Sequence, residues 1–164
     1  MVDFEFTTKY FGKIIITDDG EHGDTDVTYN NQEINIFLND YSIYGDKVKI
    51  CLDIMDKYVE INEIAKKAIL ENFAENETIK YYFECHFDML EEEELMEVFG
   101  VKNFKEMDTK NVVEKLEYPN LLFSIANNEI NVSVDYKVSK EYSDEILCIR
   151  MDEKLNVTDF AHES

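Results

Sequence analysis

The alternation of apolar and polar residues predicts strands at both ends of the chain. In the N-terminal part, residues 4–16, 27–29 and 34–38 have strand-like patterns, and Asn30-Asn31 provides a tight turn before the last of them. Residues 17–26 contain two glycines and four aspartates without a large apolar side chain, which predicts a loop. We therefore expect three antiparallel strands in this part.

The central part of the chain changes to the three- and four-residue spacing of amphipathic helices. This spacing predicts one helix over residues 46–59 and a second over residues 61–73, with Asn62 as its candidate N-cap. The next segment, residues 79–89, is apolar and rich in aromatic residues, and we interpret it as a strand.

Two further helices are predicted before the C-terminal strands. Residues 91–99 place their apolar side chains on one helical face, and Gly100 follows as a stop signal. Asp108 or Thr109 could cap a short helix that runs to Leu116.

The C-terminal part has the clearest strand pattern. Residues 121–136 alternate regularly on both sides of Asn127-Asn128, which predicts a hairpin, and residues 146–151 have the composition of a central strand. We expect an α+β fold, with an antiparallel sheet of three N-terminal strands plus a C-terminal meander and the central helices packed on one face. A single proline and the lack of a linker-like stretch predict one domain over residues 1–164.

The charge balance restricts the class of partner. The chain has 16 Lys and Arg against 37 Asp and Glu, a formal net charge of −21. Nucleic acids and anionic membranes both attract cationic side chains, so we expect neither as a partner. A basic protein is favoured, although high net charge also serves solubility alone.

The acidic residues occur in blocks. No lysine or arginine lies between Lys13 and Lys47 or between Lys80 and Lys102, and this clustering favours an electrostatically steered partner. We expect the partner-binding surface to include one of two blocks. The first candidate is Glu91, Glu92, Glu93, Glu94 and Glu97, and the second is the loop with Asp18, Asp19, Glu21, Asp24 and Asp26. The four consecutive glutamates also suit the first turn of a helix, where carboxylates meet the positive end of the dipole.

Two segments suggest metal ligands without completing a site. The segment around His22 fails the calcium-loop template, because Gly20 and His22 occupy ligand positions and Tyr29 stands where a glutamate is required. Cys85-His86 lacks further ligands at zinc-site spacing, and we interpret the pair as a core thiol beside a surface histidine. We expect no bound metal and no cofactor.

The three cysteines, Cys51, Cys85 and Cys148, are widely spaced among apolar residues and indicate buried thiols. A catalytic pair between Cys51 or Cys148 and a distant histidine remains open. The N-terminus has no signal-peptide pattern, and no apolar stretch approaches the ~18 residues of a membrane span, so we expect a cytoplasmic protein.

Two segments carry a family resemblance. The run Tyr10-Phe11-Gly12-Lys13-Ile14 and the segment from Tyr142 to Ser164 resemble a bacterial domain-of-unknown-function family, number two thousand and four. This resemblance implies an α+β fold without implying an activity. In size and acidity the chain is also similar to immunity proteins of contact-dependent and other polymorphic toxin systems, which block toxin nucleases through complementary charge.

These observations lead to one principal hypothesis and two alternatives. The principal hypothesis is a cytoplasmic, non-enzymatic immunity protein that neutralises a basic toxin domain, such as a nuclease, by occlusion. One alternative is an enzyme or small-ligand protein whose site is dispersed in sequence, and the other is an acidic mimic of nucleic acid. The oligomeric state is open.

Overall fold

The computed structural model describes residues 2–39 and 45–164, without the side chains of Val2, Asp18 and Tyr118. The strands are β1 (Val2–Thr8), β2 (Gly12–Asp18), β3 (His22–Tyr29), β4 (Gln32–Asn39), β5 (Glu117–Ala126), β6 (Glu129–Lys137), β7 (Ile146–Met151) and β8 (Val157–Glu163). The α-helices are α1 (Val48–Met55), α2 (Tyr58–Asn72), α3 (Glu77–Met89), α4 (Glu92–Phe99) and α5 (Thr109–Glu114). The predicted α+β class is confirmed.

The eight strands form one sheet in chain order, from β1 at one edge to β8 at the other. All neighbouring pairs are antiparallel except β4 and β5, which pair in parallel with Phe37 opposite Leu122. A parallel pair requires a long crossover connection, and here the five helices between β4 and β5 provide it.

The N-terminal part of the sheet has four strands, so the prediction of three was wrong. β1 and β2 form a hairpin within the apolar segment, and Thr8 stabilises its turn. The Thr8 hydroxyl donates to the Gly12 carbonyl at 2.9 Å and accepts from the Phe11 amide at 3.1 Å. Gly12 has a φ of +64°, a conformation that favours glycine.

Most of the predicted loop over residues 17–26 is also strand. The turn is confined to residues 19–21, and Thr17 pairs with Asp24 across the start of the β2–β3 pairing. Polar residues are compatible with this strand because Asp24 and Asp26 are exposed to solvent.

The predicted strand over residues 79–89 is helix α3. Its N-cap is Asn76, whose side chain accepts a hydrogen bond from the Ile79 amide at 3.0 Å. The buried residues Ile79, Tyr82, Phe83 and His86 follow helical spacing. The aromatic content of this segment suggested a strand, but its apolar period is that of a helix, and packing against β7 and β8 fixes that state.

The other predicted helices are present with adjusted ends. α2 begins at Tyr58, so Asn62 lies inside the helix, where its side-chain oxygen accepts a hydrogen bond from the Tyr136 hydroxyl. α4 ends at Gly100, which has a φ of +72°, and Asp108 caps α5 by accepting from the Asn111 amide at 3.1 Å.

The helices pack on one face of the sheet, as predicted, and form one apolar core with it. Fully buried side chains of the strands, such as Ile36 and Val134, lie in the same cluster as Tyr58, Tyr82 and Phe83 of the helices. The buried tyrosine hydroxyls have partners; for example, Tyr58 donates to the Pro119 carbonyl at 3.2 Å. In the part of the chain described, no helix combines the length and the apolar character needed to cross a membrane.

Candidate functional site

The first candidate surface is the acidic cluster of α4, formed by Glu91, Glu92, Glu93, Glu94 and Glu97. Glu91 is the N-cap, and its amide donates to the Glu94 carboxylate at 2.9 Å as part of a capping box. Glu92 forms an ion pair with Lys102. Glu93 is exposed at the start of the helix, where its charge meets the positive end of the helix dipole.

This arrangement shows which carboxylates are engaged within the chain. Glu91 and Glu94 serve the helix start, and Lys102 partly neutralises Glu92. The sequence between Lys80 and Lys102 contains no lysine, but in the folded chain Lys102 contacts Glu92 of this block. The charge that α4 offers most freely to a partner is that of Glu93.

Beside α4 lies an open groove of about 430 Å³, which we name the α4 groove. Its lining consists of Glu97 and Val98 of α4, Lys115, Glu117, and residues 138–142 of the connection between β6 and β7. The Tyr142 hydroxyl donates to the Glu97 carboxylate at 2.7 Å across this groove.

The pKa of Tyr142 reflects its contact with Glu97. It is raised to about 12, first by the hydrogen bond to Glu97, then by partial burial and by the negative charges of Glu141, Glu97 and Glu94. Ionising the phenol is unfavourable because a new negative charge would lie among existing ones. The carboxylates of Glu97, Glu117 and Glu141 line the α4 groove together with Lys115 and Lys140.

The second candidate surface is the β2–β3 tip, residues 18–26. The Asp19 carboxylate accepts hydrogen bonds from the amides of Glu21 and His22, both at 3.1 Å, and these bonds lower its pKa. Asp19 also lies 3.4 Å from the His22 ring. The Asp18 side chain lies outside the described part of the structure. Glu21 and Asp24 are exposed, and Asp26 accepts from the Asn35 side-chain amide at 2.9 Å.

The two predicted segments belong to different surfaces. Glu97 lines the α4 groove, whereas Asp26 lines a second groove of about 200 Å³. The two acidic blocks, which are already separate in the sequence, are therefore two separate candidate surfaces.

The sheet has a second face, directed away from the helices, which we name the open face. Cross-strand register arranges its side chains in rows. One row is Asp24, Phe37, Leu122, Ser133, Arg150 and Asp159. The neighbouring row is Asp26, Asn35, Asn120, Asp135 and Cys148. The second groove lies on this face and is lined by Asp26, Glu33, Asn35, Asn120, Lys137 and Lys140.

Asp135 is the most unusual residue of the open face. Its side chain is only 9% exposed, and its Oδ1 atom is buried without a hydrogen-bond partner. Burial raises the pKa of this carboxyl group to about 6, although the Cys148 thiol and Arg150 act in the opposite direction. Sequence reasoning missed Asp135 because it occupies an ordinary polar position in an alternating strand.

His86 is buried, so its prediction as a surface histidine was wrong. The error follows from the assignment of α3 as a strand, since in the helix His86 points into the core with no exposed surface. Its Nδ1 atom lies 2.7 Å from the Tyr82 carbonyl, and its Nε2 atom lies 2.7 Å from the Ser143 hydroxyl. Burial lowers the pKa of His86, which favours the neutral ring in this site.

The His86–Ser143 contact has the distance of a nucleophile and a base, but its surroundings are those of a structural contact. Ser143 is 5% exposed and lines neither the α4 groove nor the second groove. The hydrogen bond joins α3 to the connection between β6 and β7. We therefore assign it a role in packing.

The cysteines are buried, as predicted. Burial raises the pKa of the thiols to about 12 for Cys51 and Cys148 and to about 11 for Cys85. Thiols with such values are weak nucleophiles at neutral pH. Among the residues described, no group of three or more His, Cys, Asp or Glu side chains is placed to hold a metal ion.

Comparison with known proteins gives one similarity. The chain is 28% identical over 145 residues to the Holliday junction branch migration complex subunit RuvA of Mycoplasma mycoides subsp. mycoides SC. The alignment covers 83% of this chain and 73% of that protein. No family model matches the chain, and no solved structure matches it.

Proposed function

We propose that this chain is a cytoplasmic immunity-type protein that binds a basic toxin domain, such as a toxin nuclease, and neutralises it by occlusion. The observation that carries the proposal is the excess of carboxylates without cationic partners. The chain has 37 Asp and Glu against 16 Lys and Arg, so carboxylates outnumber cations by more than two to one. Such a surface attracts a basic protein and repels phosphates.

Two features of the surfaces suit such a complex. The Tyr142–Glu97 pair lies at the edge of the α4 groove, where an aromatic ring and a carboxylate can contact a basic side chain together. Exposed carboxylates such as Glu93 and Asp24 lie on different surfaces and would accelerate the encounter from several directions.

The proposal is tested by co-expression with the protein encoded by the gene directly upstream. We expect that protein to carry a basic toxic domain, to be tolerated by cells only when this chain is present, and to form a stoichiometric complex that weakens with salt. Lysozyme, a basic protein unrelated to toxin systems, serves as the control for non-specific charge attraction. An absence of both protection and complex formation at low salt would refute the proposal.

The similarity to the branch migration subunit favours a second candidate, a component of a complex that acts on Holliday junctions. The net charge of −21 makes direct phosphate contacts unfavourable, so this role would require a basic protein subunit as the contact. Mobility-shift experiments with four-way junction DNA test it. Retention of this chain on the junction together with a basic protein subunit at physiological salt would favour this candidate over the immunity role.

A further inference from the structure

We infer that a cavity lined by α2, the β3–β4 turn and the end of α5, which we name the Lys66 pocket, binds a small organic carboxylate through the ammonium group of Lys66. This inference goes beyond the proposed function and does not rest on it, because neither the acidic cluster of α4 nor the β2–β3 tip lines this pocket.

The Lys66 pocket has a volume of about 230 Å³. On one side it is lined by Tyr58, Asn62 and Lys66, which follow each other at four-residue spacing and so lie on the same face of α2. The rest of the lining comes from the β3–β4 hairpin and from the segment around the end of α5: Tyr29, Asn30, Gln32, Glu114, Lys115, Leu116 and Pro119.

The ammonium group of Lys66 keeps donors for a ligand. Its Nζ atom donates to the backbone carbonyl of Glu114 at 2.8 Å and lies 5.8 Å from the centre of the Tyr136 ring. A lysine ammonium has three N–H donors, and the carbonyl uses one of them. Lys66 is therefore held at the pocket by a neutral acceptor while part of its hydrogen-bonding capacity remains.

The charge of Lys66 is not balanced by an ion pair. In the described part of the chain, the lysines that form ion pairs with carboxylates are Lys13, Lys67, Lys80, Lys102 and Lys137. Burial lowers the pKa of Lys66, although the nearby negative charge of Glu114 acts in the opposite direction. A bound anion would supply the negative charge that this half-buried ammonium lacks.

A second donor stands one helical turn from Lys66. The side-chain oxygen of Asn62 accepts a hydrogen bond from the Tyr136 hydroxyl, which leaves the side-chain nitrogen as a donor. An ammonium and an amide on one face of a helix suit the two oxygens of a carboxylate. Lys115, which also lines the α4 groove, gives the Lys66 pocket two lysines against the single carboxylate of Glu114.

The remaining walls are apolar and favour an organic acid over an inorganic anion. The rings of Tyr29 and Tyr58 meet edge to face with their centres 5.5 Å apart, and Leu116 and Pro119 are buried beside them. The Tyr58 hydroxyl already donates to the Pro119 carbonyl. Ligand pockets typically combine apolar walls with a few polar groups, and this volume is below the roughly 300–1,000 Å³ of drug-sized ligands. The walls therefore suit the apolar body of a small carboxylate.

The test uses benzoate as the carboxylate, benzamide as its neutral counterpart and inorganic phosphate as an anion without an apolar body, all at one fixed ionic strength. Binding to the full chain is followed by NMR. We expect benzoate to give saturable shifts of the Lys66 ε-methylene and Asn62 side-chain amide signals, and to bind more tightly than either of the other probes. Bound benzoate should also raise the pKa of Lys66, followed through its ε-carbon signal.

Lys66→Met removes the charge and keeps an apolar side chain of similar length, and it should weaken benzoate binding by about tenfold or more. Lys67→Met is the matched control, because Lys67 is the next residue of α2, is exposed and pairs with Glu71 at 3.7 Å. It should leave benzoate binding unchanged. An absence of saturable shifts at Lys66 in the wild type, or equal losses in the two variants, would overturn the pocket. Equal binding of benzamide would overturn recognition of the charge, and equal or tighter binding of phosphate would overturn the organic carboxylate.

Discussion

The phenol of Tyr142 donates a hydrogen bond of 2.7 Å to the Glu97 carboxylate and so joins α4 to the connection between β6 and β7. This contact places an aromatic ring directly beside a carboxylate in the lining of the α4 groove.

We predict that Glu97→Gln lowers the pKa of Tyr142 from about 12 towards the ordinary tyrosine value. The substitution removes both the charged acceptor and one of the nearby negative charges. Ultraviolet titration of tyrosinate, resolved by comparison with Tyr142→Phe, measures the change. Glu93→Gln is the control, and an equal shift in that variant would contradict the assignment to Glu97.

Asp135 should make stability depend on pH. Its pKa is raised from 3.8 in the unfolded chain to about 6, so the native state holds the proton more tightly. The resulting stabilisation is complete below pH 3.8 and is lost as the pH rises through about 6. The free energy of unfolding of the wild type, minus that of Asp135→Asn, should therefore fall by about 2–3 kcal/mol across this interval.

Urea unfolding at a series of pH values measures this difference. The subtraction cancels the contributions of the other carboxylates, and Asp24→Asn controls for the loss of a charge at an exposed position of the same face. A difference that is independent of pH would show that Asp135 is ionised normally in the folded protein.

The buried contact between His86 and Ser143 should be important for stability. Ser143→Ala leaves the His86 Nε2 atom buried without a partner, which should lower the free energy of unfolding by about 1–3 kcal/mol. Ser124→Ala, at a half-exposed position of the open face, should change it by less than about 0.5 kcal/mol. Chemical unfolding compares the two variants, and equal stabilities would contradict the packing role.

Added salt should stabilise the isolated protein. A net charge of −21 makes the compact state repel itself, and salt screens this repulsion over a Debye length of roughly 8 Å at physiological ionic strength. We expect the melting temperature to rise from low to moderate sodium chloride. A steady decrease would mean that attractive ion pairs, rather than repulsion, dominate the electrostatic energy.

Turns and helix ends that depend only on neighbouring residues could be predicted from the sequence. The Asn30-Asn31 and Asn127-Asn128 turns adopt the positive φ angles that a two-residue hairpin turn requires, from 50° to 64°. Asp108 and Gly100 begin and end helices as predicted, because capping depends on residues within one turn.

Features that depend on tertiary contacts could not be predicted from the sequence. The aromatic content of α3 favoured a strand over the helical spacing of its buried residues, and packing against β7 and β8 stabilises the helix. The unpartnered oxygen of Asp135 and the return of Lys102 to Glu92 depend on residues brought together by folding. The sequence predicted which acidic residues are candidates, and the structure assigns them to the acidic cluster of α4 and the β2–β3 tip.

The central claim is that carboxylates at the surface steer a basic partner. A direct test requires charge reversals that leave the fold intact, and the structure selects Glu93, Glu21 and Asp24, which are exposed, in preference to Glu92 and Glu94, which have structural partners. The melting temperature of each variant confirms that the fold is retained.

The decisive measurement is the association rate between this chain and the upstream toxin domain, determined by stopped flow over a range of sodium chloride concentrations. Reversal of Glu93, Glu21 and Asp24 to lysine should slow association and flatten its dependence on salt, because the encounter is driven by long-range charge. Unchanged rates and an unchanged salt dependence in the reversed variant would contradict the account and would leave the acidity as a solubility feature.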